Sequence, residues 1–167
     1  MAIMDIIKAK HSIRKYTGEQ IPGEALEQIL EAGNYAPNAG GGQRSMLVAI
    51  HNKELTTRVG KMNLAHFDRT HLAGNYVSKE QPSTIDDPTI RNGFYDAPTV
   101  VCVFCQDNFL FKTADAFCMM ENMILQATEL GLLPVSYPEV LRPLPRKRAN
   151  SLCMTGKCPK GIPVRAL

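Results

Sequence analysis

The sequence lacks three features that would indicate a membrane protein, a secreted protein or a nucleic-acid-binding protein. No apolar run reaches the roughly 20 residues that cross a bilayer. The amino terminus lacks a basic segment followed by a long apolar one, so no secretory signal is expected. The net charge is only +3, too small to indicate a nucleic-acid partner. We therefore expect a cytoplasmic protein without a membrane-spanning segment, and its 167 residues are enough for one domain with a core.

The cysteines and histidines show no spacing that indicates a disulfide framework or a catalytic pair. The five cysteines are an odd number without secretory context, which predicts free thiols in a reducing compartment. Cys102 and Cys105 have metal-like spacing, but in a strand they would point to opposite faces. Two interpretations stay open, core thiols or a zinc site completed by Cys153 and Cys158. The four histidines share no spacing and have no evident acid partner.

Apolar spacing predicts the helices. The pattern favours a short helix at 2–9, a second between Thr17 and Pro37, and a third candidate from Lys53 to Gly60. Pro22 suits a first helical turn, and Pro37 cannot continue the helix. Residues 114–131 are apolar nearly all round, which predicts a central buried helix with Gly131 as its C-cap.

Two short apolar runs predict strands. The first is "MLVAIH" at 46–51, and the second is "APTVVCVFC" at 97–105. The second run is β-branched and almost wholly apolar, as in a strand that is covered on both faces. Residues 64–93 between them carry little periodicity and are predicted to be mainly loop.

The segment "KHSIRKY" (10–16) is the first candidate site. In an extended segment Lys10, Ser12 and Arg14 would share one face. An ammonium, a hydroxyl and a guanidinium together suit a phosphate group. The alternative is an exposed basic turn, because charge clusters usually face water.

The loop "NAGGGQ" (38–43) is the second candidate site. Three successive glycines allow the backbone to adopt positive φ or to approach a ligand closely. The loop lacks the lysine of a P-loop, and no strand precedes it as a dinucleotide fingerprint requires. A flexible turn is the other interpretation.

Four segments in this order resemble the flavin-dependent nitroreductase family over residues 3–132: "HSIRKY", "ILEAGNYAPNAGGGQ", "APTVVCVFC" and "DAFCMMENMILQATELGL". The resemblance implies an α+β fold, with a mixed sheet packed between helices and an intertwined homodimer that holds FMN at its interface. It also implies electron transfer from NADH or NADPH, through flavin N5, to nitroaromatics, quinones or similar small acceptors in a ping-pong mechanism. The flavin carries the chemistry, so no catalytic side chain is expected.

The resemblance also assigns binding roles by position. Lys10, Ser12 and Arg14 would hold the flavin phosphate and ribityl chain, with a backbone or ring contact from His11, and Asn63 would meet the pyrimidine edge. The loop that covers the flavin ring from the partner subunit would contain Pro37, Asn38, Ala39, Gly40 and Gln43. Lys10 replaces the more usual arginine, Gly41 stands where asparagine is common, and Arg44-Ser45 replace Pro-Trp. The last two departures concern the shape of the substrate site more than flavin binding.

Beyond Leu132 the resemblance ends, which divides the chain into a flavin-binding domain (1–133) and a Pro-rich basic tail (134–167). The family's C-terminal elements are expected to be missing, and FMN retention is expected to be weaker. When Met154 to Ile162 are back-translated into degenerate codons and read in a shifted frame, starting at the third base of the first codon, the triplets permit Asp-Trp-Glu-Val-Pro-Glu-Gly-Tyr. This string is typical of the family. One hypothesis is a frameshift near residues 132–136, and the other is a divergent tail with its own packing role.

Two other functions stay open at this stage. The atypical tail also fits a degenerate flavin-binding protein without turnover. A nucleic-acid-binding module could use Lys10, Arg14 and the cations at 146–148, but no aromatic residues for base stacking alternate with them.

Overall fold

The computed structural model describes residues 2–65, 90–132 and 134. Their elements in chain order are the helices α1 (Ile3–Ala9) and α2 (Gly23–Asn34), a 3₁₀ turn (Ala39–Gly41), strand β1 (Ser45–Ile50), helix α3 (Lys53–Ala65), strand β2 (Val100–Cys105) and helix α4 (Lys112–Glu129). All predicted helices and strands are confirmed, and α3 continues past its predicted end to Ala65. The loop predicted at 64–93 falls mostly outside the described residues, as does the tail beyond residue 134.

Helix α2 follows the predicted apolar spacing. Leu26, Ile29 and Gly33 are its buried residues, and Glu24 places an acid in the first turn, where the helix dipole favours negative charge. The amide of Tyr35 donates back to the Glu31 carbonyl at 3.1 Å and closes the last turn. The chain then leaves the helix just before Pro37, as predicted.

Strands β1 and β2 form an antiparallel pair, with Ser45 opposite Cys105 and Ile50 opposite Val100. Every residue of both strands is half-buried. The prediction that the second strand is covered on both faces is therefore wrong for the described part of the chain, because none of its six residues is fully buried. Helices lie against one face of this pair, as an α+β fold requires.

The core lies where α2, α4 and the sheet meet. Its buried centre is Ile29, Met123 and Ala127, and Leu47 of β1 and Val101 of β2 pack against it. Gly33 lets α2 come close, because a Cβ there would lie 2.9 Å from atoms of both Leu47 and Met123. The two helices are also joined by a hydrogen bond of 3.1 Å from Nδ2 of Asn122 to the carbonyl of Ala32.

Helix α4 is buried along one face rather than all round. Met119, Met123 and Ile124 are buried, whereas Phe117 keeps 49% of its surface exposed. The central buried helix predicted from composition is therefore wrong on this point. Two hydrogen bonds end the helix in a Schellman motif, from Gly131 to the Thr128 carbonyl (3.0 Å) and from Leu132 to the Ala127 carbonyl (2.8 Å). Gly131, predicted as the C-cap, has φ of 75° and is the residue that follows the cap residue Leu130.

In the described part of the chain, no helix has the length and apolar character that crossing a membrane requires.

Candidate functional site

The amino-terminal polar group follows α1 in an extended segment. Nζ of Lys10 donates to Oγ of Ser12 at 3.3 Å, and both side chains are half-buried. Arg14 is also half-buried, whereas His11 and Lys15 between and beside them are exposed. The bond between Lys10 and Ser12 brings a cation and a hydroxyl together on one side of the segment, as the sequence predicts, while Ile13 between Ser12 and Arg14 is also half-buried.

His11 and Tyr16 use their polar atoms on the segment itself. Nδ1 of His11 donates to the Ala9 carbonyl at 2.6 Å, and the Tyr16 hydroxyl donates to the Ile13 carbonyl at 2.9 Å. These bonds fix the path of the backbone between α1 and α2. The contact of His11 with a ligand stays a prediction.

The glycine-rich loop is a tight turn with left-handed backbone. Gly40 has φ of 65° and Gly41 of 62°, a left-handed conformation that glycine adopts more readily than residues with a Cβ. Gln43 also has positive φ, at 43°, and its amide donates to Oδ1 of Asn38 at 2.9 Å. Glycine therefore suits positions 40 and 41 because of their backbone conformation, whereas Gly42 has an ordinary φ of −78°.

Asp115 anchors this loop from a distance of 76 residues in sequence. Its carboxylate is 5% exposed in the first turn of α4, and Oδ1 accepts a hydrogen bond of 3.0 Å from the amide of Ala39. Asp115 was not predicted as a site residue. The available signal was an acid in the first turn of a largely apolar helix, and this acid comes next to the loop only in the folded chain.

Arg44 closes the other end of the loop. Its guanidinium lies 4.6 Å from the centroid of the Phe109 ring, a cation–π distance, and donates to the Ala39 carbonyl at 3.3 Å. The residue that replaces the family's usual proline therefore supports the loop. Its ring partner, Phe109, stacks edge-on against Phe111 at 5.9 Å.

Asn63 lies on the last turn of α3, away from the loop in sequence. The side chain is half-buried, and its Oδ1 atom is buried without a hydrogen-bond partner among the described residues. The atom faces Gly93, where an added Cβ would collide with it. An unpaired buried acceptor costs free energy, about 1–3 kcal/mol.

A turn at 92–97 supports Asn63, and the sequence analysis missed it. Asn92 is 3% exposed, and its side chain accepts from the Phe94 amide at 2.8 Å and donates to Oδ1 of Asp96 at 2.9 Å. Tyr95 and Asp96 both have positive φ, 54° and 60°, although neither is glycine. The Asn92-Gly93 pair is a local turn signal, but it does not specify the positive φ of Tyr95 and Asp96.

The two thiols of β2, Cys102 and Cys105, are half-buried. Burial raises the pKa of Cys102 from 9.0 to about 11. Cys105 takes part in hydrogen bonds of 3.3 Å with Ser45 and with the Lys112 carbonyl. Within residues 2–65, 90–132 and 134, no three metal-ligating side chains come together, and Cys153 and Cys158 lie outside that range.

A sequence model of the nitroreductase family matches residues 7–134 of the chain. A curated protein of Methanothermobacter thermautotrophicus, named for NADH dehydrogenase and NAD(P)H nitroreductase activity, is 24% identical over 136 residues, which cover 79% of this chain and 58% of that protein. The chain thus spans less than two thirds of that relative.

Two solved structures are also similar. The first is a nitroreductase from Bacteroides fragilis with bound FMN, which is 30% identical and has a TM-score of 0.59 over 78% of this chain and 66% of that one. The second is a nitroreductase from Desulfitobacterium hafniense with bound FMN, which is 25% identical and also has a TM-score of 0.59, over 77% and 65%. The nitroreductase-like α+β fold predicted from the sequence is confirmed.

Proposed function

We propose a function from the premise that the chain belongs to the nitroreductase family. The protein binds FMN and passes electrons from NAD(P)H to a small acceptor such as a nitroaromatic compound or a quinone. The observation that carries the proposal is the extent of the family match, because residues 7–134 include the amino-terminal polar group, the glycine-rich loop and Asn63. The FMN bound by the 30% identical Bacteroides protein supports the choice of cofactor.

The residues present fit FMN in three ways. Lys10 and Ser12 offer an ammonium and a hydroxyl to the phosphate from one side of an extended segment. Gly40 and Gly41 are exposed and have left-handed backbone, so this part of the loop carries no side chains, which suits close approach to a flat ring. Oδ1 of Asn63 gains no hydrogen bond within the described chain, which supports a role of this side chain in ligand recognition.

Each group has a distinct task. Lys10 and Ser12 bind the phosphate end, with Arg14 beside them, while the loop Pro37–Gln43 lies over the ring. FMN would supply the redox chemistry, taking electrons from NAD(P)H and reducing the acceptor in a second half-reaction, so no acid–base side chain is needed. The chain's contribution is to bind, to orient and to exclude water.

A homodimer belongs to the same proposal. Ile3 and Met4 of α1 are 70% and 53% exposed, and Leu110 and Phe117 near the start of α4 are 85% and 49% exposed. Helix α1 packs on α4, so these apolar side chains lie on adjoining elements. A second copy that covers them would bury apolar surface and bring its own loop to the flavin.

Binding of FMN to the full chain tests the cofactor. Lys10→Ala should weaken FMN binding about tenfold or more, because a charged hydrogen bond to phosphate is lost. Lys15→Ala removes the same charge from an exposed position nearby and is the matched control. Equal affinity of the two variants would contradict the assignment of the phosphate site.

Turnover separates the enzyme from a flavin-binding protein without activity. The second function is favoured by one observation, that the family match stops at residue 134 and the chain spans 58% of the Methanothermobacter relative. The FMN-loaded protein should oxidise NADH or NADPH when menadione or a nitrofuran is added. Stoichiometric FMN without any such oxidation would support the second function.

A further inference from the structure

Gly93 and Asn63 are in direct contact. A Cβ added at Gly93 would collide with Oδ1 of Asn63 and lie 3.0 Å from Cγ of the same side chain. The nearest backbone atom to this Cβ position is the Gly60 carbonyl oxygen, at 3.3 Å. The first conflict involves the tip of a side chain, which can rotate away. A side chain at position 93 would therefore move the Asn63 carboxamide before it moved the backbone.

Gly93 is itself fixed against α3. Its amide donates to the Gly60 carbonyl at 2.9 Å, and Gly60 lies one helical turn before Asn63 on the same face of α3. Asn92 fills the space over Gly60, where a Cβ would collide with the Asn92 carboxamide. The hydrogen bonds of Asn92 to Phe94 and Asp96 keep the turn in place.

We propose that Gly93, held in place by Asn92, is a positioning residue that sets the orientation of the Asn63 carboxamide toward the flavin. The inference rests on the proposed function, because it assumes that Asn63 meets the bound FMN. Gly93 itself does not touch the cofactor. It acts by lacking a side chain, so that Oδ1 of Asn63 packs directly against it and the carboxamide is held in one orientation.

A purely structural role explains less. A turn that only closed the chain before β2 would be served by any contact with α3, and it would not need to pack on a polar atom that has no partner. Burial of the unpaired Oδ1 atom of Asn63 lowers the stability of the folded chain. The arrangement is consistent with a carboxamide held ready for a ligand rather than selected for folding.

The test compares four variants of the full chain by FMN titration and by thermal melting without FMN. Gly93→Ala should weaken FMN binding about three- to tenfold, the loss of one neutral hydrogen bond. Asn63→Ala should weaken it by a similar factor. In the double variant the two effects should not add, because the side chain that Gly93 positions is already gone. Gly23→Ala is the control, since a Cβ there meets nothing within 4 Å.

The outcomes separate the inference from the proposed function. If the unmodified chain does not bind FMN, the proposed function fails. If it binds FMN and Gly93→Ala binds as tightly as Gly23→Ala, or if the two effects add in full, the inference fails. Should Gly93→Ala alone not fold, recovery of the melt in the double variant supports the contact, and no recovery overturns it. A changed visible circular dichroism of bound flavin in Gly93→Ala is the expected spectroscopic sign.

Discussion

Replacing Asp115 with alanine should loosen the glycine-rich loop from a site outside it. Oδ1 of Asp115 accepts the only hydrogen bond described for the Ala39 amide, at 3.0 Å, and the carboxylate is 5% exposed. A hydrogen bond to a charged group contributes about 1.5–3 kcal/mol, and for a chain of this size each kcal/mol shifts Tm by about 2–4 °C. We expect Asp115→Ala to lower Tm by about 3–12 °C. The acid also favours the amino end of α4, so part of the loss comes from the helix.

Hydrogen exchange separates these two contributions. The Ala39 amide should exchange faster in Asp115→Ala, while amides in the middle of α4 should be affected much less. Asp115→Asn keeps an oxygen acceptor at the same place and should lose less stability than the alanine variant. Glu121→Ala, an exposed acid on the same helix, serves as the control. Unchanged exchange at Ala39, with a Tm equal to that of the control, would refute the anchoring role.

Three further predictions concern the loop, a thiol and the reading frame. Gly41→Ala places a Cβ at φ of 62° and should cost about 1–2 kcal/mol in a denaturant melt, while Gly23→Ala, as control, should not. Burial raises the pKa of Cys102 to about 11, so its alkylation in the native chain at pH 8 should be far slower than in urea, and equal rates would contradict this. The stabilisation that the neutral thiol provides should decline as the pH rises from 9.0 towards 11. DNA sequencing across codons 130–138 should reveal an inserted or deleted base if the frameshift hypothesis is correct, and related genes that encode "PRKRANSLC" in the same frame would end it.

Local sequence patterns were sufficient to predict the helices and the glycine that ends one of them. Helical spacing located α2 and α4, and glycine after an apolar helix located the Schellman motif at Gly131. These features depend on neighbours three to five residues apart, so a sequence displays them directly. The alternation of Lys10 and Ser12 belongs to the same class, since two residues apart in an extended chain share a face.

Contacts between distant segments could not be predicted in this way. The bond between Asp115 and Ala39 joins residues 76 apart, and the cation–π contact joins Arg44 to Phe109. The support of Asn63 by Gly93 depends on a turn whose positive-φ residues, Tyr95 and Asp96, carry no glycine signal. Such pairs are set by the packing of elements, which periodicity alone does not specify.

The described fold is internally consistent up to Leu132. Leu132 closes the Schellman motif and packs against the core of Ile29, Met123 and Ala127, so α4 ends as a well-formed helix should. The sheet is different, because a two-stranded pair with every residue half-buried is marginal without further cover. A proline-rich segment is a poor source of that cover, since proline cannot donate to a strand ladder. The stability of the helical core, and that of the described sheet edge, should therefore depend little on the residues after 134.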